Sequence, residues 1–259
     1  MEIKSFLTLT NFRVMSNKKN LFISIHYTAN NGDTAYNNCC FFHKEYRGAS
    51  ANYFVDETSI WQCVKDSDIA WAVGLSEKLI KAGKAKYYNN CRNDNSISIE
   101  MCSRNTRSDK KGDWYYKDGT IKNTIWLVAY LMRKYDIPIE NVVMHYDVTH
   151  KECPRPWCYD RESWLDFKRK VVEEKMLQEL CEKYGENKVK TALIKVIEAV
   201  NDDGEPAKWA KEELQEAVEM GITDGKNPEM YATRQEVAIM CKRIKKDKAV
   251  ENSTSENGL

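Results

Sequence analysis

No stretch of this 259-residue chain approaches the roughly 20 apolar residues of a membrane span. Met1 to Asn20 lacks the uninterrupted apolar core of a signal peptide. Charge of one sign is missing as well: 40 Lys and Arg stand against 39 Asp and Glu, a net of +1. These absences exclude a membrane-inserted chain and give no electrostatic field for nucleic acid. They lead us to expect synthesis in a cytoplasm. Histidine is scarce, with His26, His43, His145 and His150 the only four. No His-Glu-x-x-His helix is present, which removes one signature of zinc peptidases that act on proteins. Internal repeats are also lacking.

Cysteine, by contrast, is abundant and odd in number, at nine. In a reducing compartment Cys63, Cys91, Cys102, Cys181 and Cys241 read as buried thiols. Cys39 and Cys40 are adjacent and unsuited to bonding each other. Cys153 and Cys158 are spaced so that a disulfide is conceivable, but pairing would compete with metal binding at Cys153.

Hydrophobic content of 42% with 31% charged residues describes a globular chain long enough for one large domain, or for one medium domain plus a small module. β-branched and aromatic runs predict strands at 21–26, 52–56, 60–64, 96–101 and 141–145. Ile121, Ile125, Val128 and Met132 share one helical face, and Pro138 follows that helix. The order gives an α/β fold with a central mixed sheet flanked by helices. From 160 to 200 the chain becomes helical and charged, interrupted by Gly185. Residues 205–247 read as a small all-α module: Pro206 opens a helix, Gly221 closes it, and Thr233 to Glu236 forms a capping box. The expected division is a 1–175 main domain, 176–204 helical linker, 205–247 module and 248–259 frayed tail.

Two strands end in a histidine. His26 closes Leu21-Phe22-Ile23-Ser24-Ile25, and His145 closes Asn141-Val142-Val143-Met144. Eight residues after His145 the loop returns Cys153. Two imidazoles and a thiolate make a tetrahedral zinc site with one position open to water, the hydrolytic type. On spacing alone, a structural role for both histidines stands beside this reading. His43 falls in a helix and reads as a packing or surface residue. His150 is a rival ligand whose loop position favours an outer role.

Hydrolysis also needs a base and an oxyanion partner. Glu100 sits in Ser96-Ile97-Ser98-Ile99-Glu100-Met101, where a carboxylate at the end of a buried strand costs free energy unless it is used. A salt bridge is its alternative role. Lys151 is either a solvated loop lysine or a cation for a substrate carbonyl.

Several segments, in order over residues 20–160, resemble the zinc-dependent N-acetylmuramoyl-L-alanine amidases of type 2, relatives of the peptidoglycan recognition proteins. His26-Tyr27-Thr28-Ala29 resembles the family's His-His-Thr-Ala. Ser50-Ala51-Asn52-Tyr53-Phe54-Val55-Asp56 is similar to its Ser-Ala-His-Tyr strand. Trp71-Ala72-Val73-Gly74 resembles its Trp-His-Ala-Gly loop. Asn95 to Glu100 is similar to its Ser-Ile-Gly-Ile-Glu strand, and His145-Tyr146-Asp147 through Cys153-Pro154 to its His-Arg-Asp to Cys-Pro block. The resemblance implies a zinc cofactor held by His26, His145 and Cys153, with Glu100 as the acid–base carboxylate and Lys151 as the polarising cation. It implies cleavage of peptidoglycan between muramic acid and L-alanine. Two family histidines are replaced by Asn52 and Ala72, neither at a ligand position.

Trp209 to Glu212, Ala217 to Gly225 and Thr233 to Val237 resemble one S-layer homology motif. That resemblance implies binding of a secondary cell-wall polymer near Trp209 and Arg234. One short motif is small for independent stability, so pooling of motifs in a homo-oligomer is one expectation and docking on the catalytic domain another. The whole plan resembles a phage or prophage endolysin, made in the host cytoplasm without a signal peptide and acting at the wall after release. A host autolysin and a non-catalytic peptidoglycan-binding protein are the alternatives. Non-catalytic relatives typically lose the cysteine ligand, which this chain keeps.

Overall fold

The computed structural model describes residues 1–74, 85–108 and 112–200. The chain divides into two compact units, Met1–Lys175 and Met176–Leu259. The first unit is built on a six-stranded sheet: β1 (Ile3–Ser5), β2 (Phe22–Tyr27), β3 (Tyr53–Val55), β4 (Ile60–Gln62), β5 (Ser96–Met101) and, after a short hairpin, β8 (Val142–Met144). The order across the sheet is β1-β4-β3-β5-β2-β8, and only the β3–β4 pair is antiparallel. The hairpin is β6 (Arg104–Asn105) with β7 (Trp114–Tyr115). All five predicted strands form. β1, mostly exposed, and the two-residue strands of the hairpin lack the apolar run that marked the others.

The alternation in β5 explains the layers. Ile97, Ile99 and Met101 face a core with Ile23, Ile25, Val55 and Met144. Helix α2 (Asp118–Tyr135) closes that core with Leu127, Val128, Leu131 and Met132. Burying each of these side chains is worth roughly 1.5–3 kcal/mol. The apolar face read from Ile121, Ile125, Val128 and Met132 is the one that packs. Asp136 ends α2 in the left-handed region at φ 52°.

The opposite face carries a polar row. Ser24 and His26 of β2 lie in register with Ser98 and Glu100 of β5. Asn52 extends the row: its Oδ1 accepts from the Ser98 amide at 3.0 Å, and its Nδ2 donates to the Lys65 carbonyl at 3.1 Å. Asn52, fully buried, is therefore a satisfied structural residue. Helix α1 (Ala35–His43) covers one flank of this face, with Cys39, Cys63, Cys102 and Phe54 clustered beneath it. Asp56 ties its start to the sheet: Oδ2 accepts from the Ala35 amide at 2.8 Å, while Oδ1 accepts from the Thr58 and Ser59 amides. His43 stacks on Phe6 and meets the Leu7 carbonyl at 2.8 Å, a packing role.

After β8 come α3 (His145–Thr149), α4 (Arg155–Cys158), α5 (Arg161–Tyr184) and α6 (Glu186–Val200). Trp164, Phe167 and Val171 of α5 share one face and fill the core beside Trp157. Gly185, at φ +86°, separates α5 from α6 in a conformation that glycine adopts readily. Cys63, Cys91 and Cys102 are buried as expected, whereas Cys181 is half-buried, because α5 is largely polar there. Cys153 and Cys158 are both free thiols. The expected 205–247 module, with Trp209, Arg234 and Cys241, and the expected 248–259 tail lie outside the described residues.

Candidate metal centre

His26, Glu100 and His145 all stand at the carboxyl ends of parallel neighbours β2, β5 and β8, where open α/β sheets place their ligands. His145 is the first residue of α3, directly after β8. The Asp147 carboxylate accepts from the Met144 amide at 3.0 Å and fixes this strand-to-helix corner. His150 then turns the chain in the left-handed region, at φ 59°, with its amide bonded to the Tyr146 carbonyl. The returning loop is pinned where the Tyr146 amide donates to the Cys153 carbonyl at 2.7 Å. Cys153 precedes a cis peptide bond to Pro154. A loop of nine residues thus brings its two ends side by side.

One potential ligand atom from each of His26, His145 and Cys153 lies within 4.8 Å of the others. Among the described residues this is the only such cluster of three buried candidate ligands. Cys153 Sγ is 3.6 Å from His26 Nδ1, and the two imidazole centroids are 4.6 Å apart. Metal–sulfur and metal–nitrogen bonds of about 2.3 and 2.0–2.1 Å at a tetrahedral angle require a separation of about 3.6 Å. Both nitrogens of His145 are buried without a hydrogen-bond partner. The Gly74 backbone lies on its side of the site but outside hydrogen-bond geometry. A buried imidazole left with two orphan nitrogens is costly, and a cation would relieve it. The residues fit a metal of the zinc class.

The electrostatics agree. Burial, then His145 and the Lys151 charge, push His26 well below the usual histidine range. Burial and Lys151 lower His145 to about 4. Both rings are neutral near pH 7, the ligand form. Burial, then Glu100, push the Cys153 thiol up, so it keeps its proton until a cation displaces it. Glu100 Oε1 lies 4.0 Å from His26 Nδ1. Its side chain keeps 22% exposure, yet Oε2 is buried without a partner. Burial raises this carboxyl to about 8 against the pull of Lys151. Lys151 is exposed on the loop, and its charge acts on His26, Glu100 and His145 alike. The structure therefore gathers all five residues singled out in residues 1–175. It leaves His150 outside the ligand cluster, paired with the Tyr146 ring.

Two residues escaped the sequence reading. Tyr116 is buried, packs edge-on against Trp157 and turns an unpartnered hydroxyl toward Cys153 and Glu100. Ser24 contacts His26 directly. A serine two positions before a strand-end histidine, inside an apolar run, was the available signal. Ala72 enters by its backbone: its amide and that of Val73 donate to Asn93 Oδ1 at 3.0 and 2.9 Å.

A mostly parallel sheet with a buried His/His/Cys cluster at its carboxyl edge defines an α/β protein with a candidate metal site. The chain belongs to the N-acetylmuramoyl-L-alanine amidase family Amidase_2, whose match covers residues 16–156. It is 30% identical over 154 residues to the N-acetylmuramoyl-L-alanine amidase CwlL of Bacillus licheniformis, covering 58% of this chain and 40% of that protein. It is 32% identical over 153 residues to the amidase BlyA of Bacillus subtilis, covering 57% of this chain and 40% of that one. The chain thus spans about two-fifths of the curated relatives it matches. The solved catalytic domain of XlyA superposes with a TM-score of 0.51 at 26% identity, over 66% of this chain and 99% of that domain.

Proposed function

We propose that this protein is a zinc-dependent peptidoglycan hydrolase that cleaves the amide between N-acetylmuramic acid and L-alanine. The observation that carries this reading is the convergence of His26, His145 and Cys153 with Glu100 4.0 Å from one of them. His26, His145 and Cys153 would hold zinc, which when bound supplies Lewis acidity and brings the pKa of a water toward about 7. The ionised form of Glu100, which the Lys151 charge favours, takes the proton of the attacking water. The Lys151 ammonium faces the carbonyl oxygen as negative charge develops there. Glu100, raised by burial, then returns the proton to the departing amine of L-alanine. The presence of all three candidate ligands favours an enzyme over a binding protein.

We further read the chain as a phage or prophage endolysin acting at the bacterial cell wall. Residues 205–247 would bind a secondary wall polymer through Trp209 and Arg234, with several chains pooling their motifs. Digestion of purified walls tests the chemistry. New L-alanine amino termini without new reducing sugars are expected, and their loss on chelation and return with zinc. New reducing ends, or activity untouched by chelator, would overturn it.

A further inference from the structure

Ser24 is a serine in a strand that is otherwise apolar up to its histidine, and it is fully buried. A hydroxyl there costs free energy unless it is hydrogen-bonded. Its Oγ lies 3.1 Å from His26 Nε2, on the same face of β2 two residues away. The other nitrogen of that ring, Nδ1, points to Cys153 Sγ at 3.6 Å and to Glu100 Oε1 at 4.0 Å. The two nitrogens of His26 therefore face different partners: a hydroxyl on one side, the ligand cluster on the other.

We infer that Ser24 is a positioning residue that accepts a hydrogen bond from His26 Nε2–H, holding the ring in the tautomer whose Nδ1 lone pair faces the metal site. A neutral imidazole carries one proton, and the partner of one nitrogen decides which nitrogen is free to ligate. Without the Ser24 oxygen, Nε2–H would be a buried orphan. The proton would then be free to move to Nδ1, where Cys153 Sγ at 3.6 Å can accept a hydrogen bond, and the lone pair would turn away from the cluster. The ring also packs against His145, with centroids 4.6 Å apart and planes tilted by 56°. Ser24 thus acts through His26 and touches no substrate. The inference rests on the metal reading, but its first measurement does not.

Long-range proton–nitrogen NMR of ¹⁵N-histidine-labelled, metal-free full-length protein reads the tautomer directly. His26 is expected as Nε2–H in the wild type, as a mixture or as Nδ1–H in Ser24→Ala, and as Nε2–H again in Ser24→Thr, which keeps the hydroxyl. Zinc affinity by chelator competition is expected to fall about 10- to 100-fold in Ser24→Ala and to recover in Ser24→Thr. Wild-type His26 carrying its proton on Nδ1 would overturn the inference with no variant needed. An Ser24→Ala protein with unchanged tautomer and zinc affinity would also overturn it. A wild type that is Nε2–H but binds no zinc would instead defeat the metal reading and leave the Ser24 contact standing.

Discussion

Cys153 Sγ lies 3.6 Å from His26 Nδ1, although 127 positions separate them in the chain. That approach is the edge length a tetrahedral metal site needs, and the two residues reach it from unrelated elements. His26 arrives on a central strand. Cys153 arrives on a loop whose ends the Tyr146–Cys153 backbone bond holds together.

Cys153→Ser should lose most bound zinc, because a neutral hydroxyl replaces the one ligand that becomes an anion on binding. Metal content after dialysis checks this, alongside circular dichroism to show the fold intact. Full occupancy in the variant would refute the ligand assignment.

Glu100→Gln should keep zinc and lose about 10²- to 10⁴-fold in turnover, the usual contribution of a positioned acid–base group. The same wall digest with metal analysis reads both quantities. Near wild-type rates would remove Glu100 from the chemistry.

Zinc affinity should rise with pH between 6 and 8. His145, lowered to about 4, and His26, lower than usual as well, are neutral throughout this range. Cys153, pushed up by burial, must give up its proton on binding. Calorimetry in buffers of different ionisation enthalpy should show proton release at pH 7. A flat affinity profile with no release would contradict a thiolate ligand.

Glu57 should contribute to acid stability. Lys117 Nζ meets its Oε1 at 2.8 Å and Arg104 Nη2 at 3.0 Å, and this pairing lowers its carboxyl from 4.5 to about 2. The folded pKa lies below the unfolded one. The contribution is therefore complete above about pH 4.5 and disappears as pH falls toward 2. In urea unfolding across that window, Glu57→Gln should lose less stability on acidification than wild type. Equal slopes would show that the pair is inert.

Trp164→Ala should destabilise the first unit by about 3–5 kcal/mol. Its indole is 1% exposed, stacked on Phe167 and tilted against Trp157, so truncation opens a large cavity. Chemical denaturation measures the cost, and a loss below about 1 kcal/mol would mean that the core collapses around the gap.

The strands were legible where burial imposed a pattern. Ile97, Ile99 and Met101 alternate with Ser96, Ser98 and Glu100 because one face meets α2 and the other carries the polar row. β1 and the hairpin of β6 and β7 were not legible, since β1 is mostly exposed and the two-residue strands Arg104–Asn105 and Trp114–Tyr115 carry no apolar run. Asn52 looked like a lost functional histidine. Its four hydrogen bonds, to the Ser98 amide and hydroxyl and to the Val64 and Lys65 carbonyls, instead make it a brace between strands.

The sequence by itself determined the ligand types, the strand ends that present them and the carboxylate on β5, because residue chemistry and a period of two are local properties. Only the tertiary structure decided that Nδ1 of His26 faces Cys153, that the Ser24 hydroxyl meets the other nitrogen and that the Tyr116 hydroxyl is buried without a partner near Cys153 and Glu100. Those facts depend on strand order and ring orientation, which arise from contacts between residues far apart in the chain.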